Sequence, residues 1–139
     1  MLYQTSSKSA SGLYNFLADT ASVGGPGFIG TVNLGVHLPI FAVITGFWVT
    51  QLVNITSGGA ATLSFGTITT DIVTPTSTVN NLMTATAIAS FTAQPLLGVD
   101  LNAAPLRLVN SVDVTMSIAT ANLTAGQLYF LLTYDEFVR

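Results

Sequence analysis

Along residues 111–119, SVDVTMSIA, apolar and polar positions alternate without an error. Val112, Val114, Met116 and Ile118 fall on one face and Asp113, Thr115 and Ser117 on the other, the period-two signature of a half-buried strand. The stretch ATLSF repeats it, with Ala61, Leu63 and Phe65 facing in and Thr62 and Ser64 facing out. Residues 28–38 do so again through Val32, Leu34, Val36 and Leu38, with Thr31, Asn33 and His37 opposite. QLYFLLTY, residues 127–134, is apolar on both faces, which suits a central strand or one buried at an interface. Residues 40–53 are long enough for a strand of full sandwich height, with Gly46 a bulge or close-contact point. Residues 13–18 and 106–109 are further strand candidates, and LMTATAIASF, residues 82–91, is the one place for a short helix.

Turn signals separate these runs: Gly24-Gly25-Pro26-Gly27, Ser57-Gly58-Gly59, Pro75 among Thr and Ser, Asn80-Asn81 and Thr124-Ala125-Gly126. About eight strands at this spacing predict an all-β chain, a single antiparallel β-sandwich of jelly-roll type. No internal repeat of fixed period and no linker is visible. The 139 residues fit one domain, with residues 1–12 as an extended N-terminal arm, flexible or docking, and residues 13–139 as the sandwich. The N-terminus lacks the basic start and apolar run of a secretory signal.

Composition sharpens the pattern. The polar positions are filled by 20 Thr and 11 Ser rather than by Lys and Glu. Charged residues make up only 6% of the chain, against about a quarter in an ordinary soluble domain. The cations are Lys8, Arg107 and Arg139, the anions Asp19, Asp71, Asp100, Asp113, Asp135 and Glu136, and none lies between Asp19 and Asp71. A free monomer keeps copies apart with a charged, patch-free surface. A chain without one either lives in a membrane or meets its own copies over much of its surface.

The membrane has one candidate, LGVHLPIFAVITGFWVTQLV at 34–53. Its length suits a spanning helix, but Pro39, Gly46, His37, Gln51 and many β-branched residues oppose a helix, and no Lys or Arg flanks it to set an orientation. Aromatic girdles of an outer-membrane barrel are missing. Nucleic acid needs a run or patch of cations to displace counterions from phosphates, and three basic residues in a chain of net charge −3 do not supply one.

Chemistry is as sparse. The single histidine, His37, has no nucleophile-bearing motif or acidic cluster beside it in sequence and reads as a surface or interface imidazole rather than a general base. Asp135-Glu136 is the only acidic pair, and neighbouring strand residues point to opposite faces, so it reads as a solvated chain end. Asp19, Asp71, Asp100 and Asp113 have no calcium-loop spacing, and the Gly24–Gly27 segment lacks the Lys-Ser/Thr of a phosphate cradle. With no cysteine, there is neither a disulfide framework nor a thiolate site. No catalytic, cofactor-binding or metal-ligating residue is therefore assigned. The aromatic residues inside apolar runs, Phe47-Trp48, Phe65 and Tyr129-Phe130, are expected in the core, although a solvent-facing set could stack on sugars.

The stretch LPIFAVITGFWVTQLVNITSGGAATLSFGT, residues 38–67, resembles a pattern of small structural proteins of tailed bacteriophage particles. There a Leu-Pro turn enters a long strand, followed by a loop and an ATLSFG-like strand. LTAGQLYFLLTY, residues 123–134, is similar to their closing strand, and Asn80-Asn81-Leu82-Met83 fits the same layout. The resemblance covers roughly residues 36–134 and implies a jelly-roll-like sandwich on the virion, a head decoration or auxiliary capsid protein assembled in the host bacterial cytoplasm. The implied partners are further copies, as a trimer or pentamer, and the major capsid protein or other virion proteins, with no nucleic acid, no membrane and no cofactor. This sequence departs from such relatives in its poverty of charge and its glycine-rich N-terminal third. A neck or tail component, or a carbohydrate-binding, host-recognising sandwich, are the alternative expectations.

Overall fold

The structure is a computed structural model that describes residues 4–19, 27–94, 96–97 and 106–138. The expected Gly24-Gly25-Pro26 turn, Asp100 and Arg139 lie outside the described residues. Among the described residues nine strands follow one another: β1 (Gln4–Asn15), β2 (Gly30–Leu38), β3 (Val43–Ser57), β4 (Thr62–Thr69), β5 (Ser77–Ala87), β6 (Leu96–Leu97), β7 (Leu106–Arg107), β8 (Val112–Ala119) and β9 (Leu123–Val138). They form two antiparallel sheets, ordered β1-β9-β3-β6, with β7 also on β3, and β2-β8-β4-β5. The two-residue β6 and β7 share one edge of β3, at Trp48–Val49 and at Val43–Ile44.

Counting β6 and β7, which pair on the same edge of β3, as one position leaves eight among the described residues, which pair first with last, second with seventh, third with sixth and fourth with fifth. That is a long antiparallel hairpin rolled over on itself, the jelly roll. The core lies between the sheets. Phe47 and Phe130 from one sheet stack 5.8 Å apart, and Phe65 from the other meets them at 5.2 and 6.3 Å. Val112, Val114, Met116 and Ile118, the apolar face of the cleanest alternation, are all buried there. Each sheet thus closes the other's apolar side, the reason the period-two pattern survives folding.

Several expected elements end elsewhere, for identifiable reasons. The expected N-terminal arm is extended and lies in the sandwich as β1, twelve residues paired on β9 from Gln4↔Val138 to Asn15↔Gln127 without a register shift. That strand stops at Asn15, whose carbonyl accepts from the Ala18 and Asp19 amides and whose own N–H donates to Asp19 Oδ2 at 2.7 Å, so residues 16–18 turn. The helix expected within residues 82–91 is strand as far as Ala87 and a single 3-10 turn at Ile88–Ser90. Pairing with β4 buries Leu82 and Met83 and outweighs local preference. Asn80-Asn81 lies within β5 rather than at a turn, and Asn81 donates to Thr67 Oγ1 at 2.9 Å.

Residues 34–53 form the end of β2, a tight turn and most of β3. Among the described residues no helix is long and apolar enough to cross a membrane. At Gly46 the pairing slips from Ile44↔Tyr134 to Gly46↔Thr133, a bulge. A Cβ on Gly46 would sit 2.3 Å from the Trp48 ring, so the bulge and the close contact expected at this glycine are both present.

Candidate assembly surfaces

Along β9, Leu128, Phe130 and Leu132 point into the core, so Gln127, Tyr129, Leu131 and Thr133 point away from it. Register places Leu13 and Thr50 on either side of Tyr129, and Ser11 and Trp48 on either side of Leu131. The outer face of this sheet therefore carries Leu13, Tyr129, Leu131 and Trp48 together. Leu13 is 43% exposed and Tyr129 38% exposed. The indole of Trp48 lies over Gly46, held there because glycine has no Cβ. Beside them run Ser7, Ser9 and Ser11, all exposed. The carboxylate of Asp135 accepts from Ser7 Oγ at 2.7 Å. Trp48 and Tyr129, expected in the core, are thus surface residues: strand alternation sends each outward from the buried Phe47 or Phe130 beside it.

A second apolar surface forms at one end of the sandwich. The β2–β3, β4–β5 and β7–β8 connections meet there, tied by Leu108 N–H to Ala42 O at 2.8 Å, Thr70 N–H to Ser111 O at 3.0 Å and Ser111 N–H to Asp71 Oδ2 at 3.1 Å. They present Ile40, Phe41, Ile72, Val73 and Val109 to solvent. Phe41 closes the Pro39–Ala42 turn with φ of 65°, a conformation that glycine or asparagine normally takes. The Arg107 guanidinium stacks 5.8 Å from the centre of its ring. The sequence signal for this end was the adjacent apolar pairs Ile40-Phe41 and Ile72-Val73, where alternation fails inside a turn.

The remaining chemistry-bearing residues are scattered. His37 and Asn33 both meet Asp113 on the outer face of the β2-β8-β4-β5 sheet, each at 3.0 Å. The ring of His37 is largely exposed, an imidazole on the surface as expected. Asp19, Asp71, Asp113 and Asp135 each hold a local backbone or side-chain donor, and Glu136 pairs with Lys8, whose pKa its hydrogen bond and charge raise. Among the described residues no three His, Asp or Glu side chains gather as a metal site would require. A shallow cleft of about 270 Å³ opens between β5 and β7, lined by Thr67, Thr78, Asn81 and Arg107 among others. It gathers hydroxyls and an amide but no acid–base pair.

No family model and no curated protein sequence matches the chain. Its fold does have solved counterparts. A chain of the acidic stable capsid structure of Helicobacter pylori bacteriophage KHP30 aligns with a TM-score of 0.55 and 17% identity, over 99% of both chains. The fold is one found in phage capsids. A chain of the capsid of Ralstonia phage GP4 aligns with a TM-score of 0.59 and 16% identity, over 93% of this chain and 83% of that one. At this identity the likeness is one of fold, and it extends from one end of the sandwich to the other.

Proposed function

We propose that this chain is a non-enzymatic structural protein of a phage particle, a head decoration or auxiliary capsid protein that binds the shell through subunit contacts. The end-to-end match in fold to chains of two capsid structures carries the proposal. The two partly apolar surfaces support it, since a particle protein turns such surfaces toward neighbouring copies and the shell. On the particle, three or five copies would meet around a symmetry axis and contact the major capsid protein. Assembly in the host cytoplasm is consistent with a chain that has no cysteine.

Attachment would rest on apolar burial and neutral hydrogen bonds. It should survive about 1 M sodium chloride, where the screening length falls to roughly 3 Å, and loosen in urea, which solvates apolar and peptide groups. Release by salt alone would contradict the proposal. The deciding measurement is copy number per purified particle. Hundreds of copies place the protein on the head lattice, a dozen or fewer place it at the neck or tail, and absence from particles removes the virion role. Because Trp48 and Tyr129 share an outer face, saturable change of Trp48 fluorescence on titrating sugars would instead favour a glycan-binding sandwich.

A further inference from the structure

A sheet edge is a row of unpaired N–H and C=O groups, and proteins blunt such edges unless something pairs with them. This jelly roll has four. The β2 edge is broken by a register shift between Asn33 and His37, with Gly35 at φ of 73°. The β5 edge is broken twice, the larger slip taking Phe65↔Met83 to Thr67↔Thr78. Beside β3, the described residues Leu96–Leu97 and Leu106–Arg107 pair on its outer edge. Among the edges described along their length, β1 alone is long and regular, with twelve residues in uninterrupted register on β9. Among the described residues, no backbone hydrogen bond other than those to β9 is made by Gln4–Tyr14. Its one charge, Lys8, is neutralised by Glu136 of the neighbouring strand, so the usual guard of an edge, an unpaired lysine, is disarmed.

We propose that β1 is a docking edge whose occupant is β1 of a second copy, paired antiparallel across a twofold axis. An exposed ladder accepts an extended strand, and β1 is the single unbroken edge that a second copy presents in the described residues. Antiparallel pairing of identical edges needs a twofold axis perpendicular to the sheet, so residues facing each other share a face of it. With the axis at Ser9, Lys8 faces Ala10 of the second copy; with the axis at Ala10, Lys8 faces Gly12. Neither arrangement opposes two lysines. Ser7, Ser9 and Ser11 are small enough to let the backbones approach. The pairing is isologous and closes at two copies, which consumes the edge instead of propagating a fibre. It concerns the free chain and stands apart from the virion role, in which further contacts form on the particle.

The absence of cysteine makes the test direct. Residues directly opposed in antiparallel strands have Cα atoms about 5 Å apart, within disulfide range. Mild oxidation of the purified chain should link Ser9→Cys into dimers if the axis passes Ser9, and the Ser9→Cys/Ser11→Cys double variant if it passes Ala10. Asn54→Cys, exposed on β3, is the control and should stay unlinked. Sedimentation should show a wild-type dimer at micromolar concentration and a monomer for Ser9→Lys/Ser11→Lys, with strand-type circular dichroism unchanged. A monomeric wild type, a dimer unaffected by the two lysines, or cross-linking no better than the control would each overturn the proposal. Particle copy number, measured separately, tests the virion role whatever the outcome here.

Discussion

The outer faces of the two sheets cover one core yet are built from different side chains. On the β1-β9-β3 sheet, Leu13, Tyr129, Leu131 and Trp48 face outward among serines and threonines. On the β2-β8-β4-β5 sheet, the outer rows are hydroxyls and amides that bond to one another. Thr31 and Ser117 meet at 2.9 Å, and Asn33 and His37 share Asp113. That second face is partly sealed by its own chain, because the slipped part of β5 lies on Gly66, whose absent Cβ would be 1.8 Å from the carbonyl oxygen of Thr78. Both faces bond polar groups of their own, Ser7 with Asp135 at 2.7 Å and Thr45 with Thr133 at 3.0 Å on the first, but the first also holds a cluster of large apolar side chains that its own chain leaves partly uncovered. If the chain serves on a phage particle as proposed, this difference makes the first sheet the side expected to face neighbours.

The largest effect is expected where the second face is sealed. Gly66→Ala should cost about 3 kcal/mol or prevent folding, because the new methyl meets backbone that cannot move aside as a side chain can. Urea denaturation checks it, with Gly58→Ala, which opens onto empty space, as the neutral reference. An equal effect at both glycines would remove the claim that β5 closes over this face.

The first face should respond in binding rather than in stability. Tyr129→Ser combined with Leu131→Ser is expected to weaken attachment to particles at least about tenfold, or ~1.4 kcal/mol, while the subunit still unfolds cooperatively. The same paired change on the second face, Thr31→Ala with Ser117→Ala, should leave attachment unaltered. If both pairs weaken attachment equally, the faces are not functionally distinct.

Among the described residues each sheet also carries one buried hydroxyl with no hydrogen-bond partner, Tyr14 Oη on the first and Thr115 Oγ1 on the second. Removing them, by Tyr14→Phe and Thr115→Val, should stabilise the chain by roughly 1 kcal/mol each, since an unpaired buried hydroxyl is penalised for lost solvation. Tyr14 adds a pH signature. Burial, reinforced by the Asp19 carboxylate, pushes its pKa up to about 12 from 10.0. The folded state therefore holds the phenolic proton more tightly than the unfolded one. Its contribution is complete below about pH 10 and is lost as pH rises toward about 12. Tyr14→Phe should flatten that alkaline decline in stability.

The smallest effect belongs to the only histidine. The His37–Asp113 pair is largely exposed at the ring, and such pairs contribute about 0–1 kcal/mol. His37→Ala should shift the unfolding midpoint barely, and particle attachment not at all. A large loss of attachment would move the interface to the second face.

The sequence by itself determined the class of fold and the inward faces of the cleanly alternating strands, because both follow from local periodicity. Val112, Val114, Met116 and Ile118 alternate with polar residues, and all four are buried; Gly46 interrupts a strand, and the strand bulges there. The charge deficit likewise made association with neighbours the expectation before any contact was visible. What only the tertiary structure decided were choices between neighbours far apart in sequence. Whether residues 82–87 run as strand depended on β4 offering a ladder, and whether residues 4–12 stay free depended on β9 doing the same across more than a hundred residues. The apolar run 127–134 showed two oily faces but not which would be covered, since that follows from where the second sheet lands. Leu13, Trp48, Tyr129 and Leu131 come from three separate segments, and only strand register makes them one surface. Periodicity is written in adjacent residues; a surface is written in pairings between distant ones.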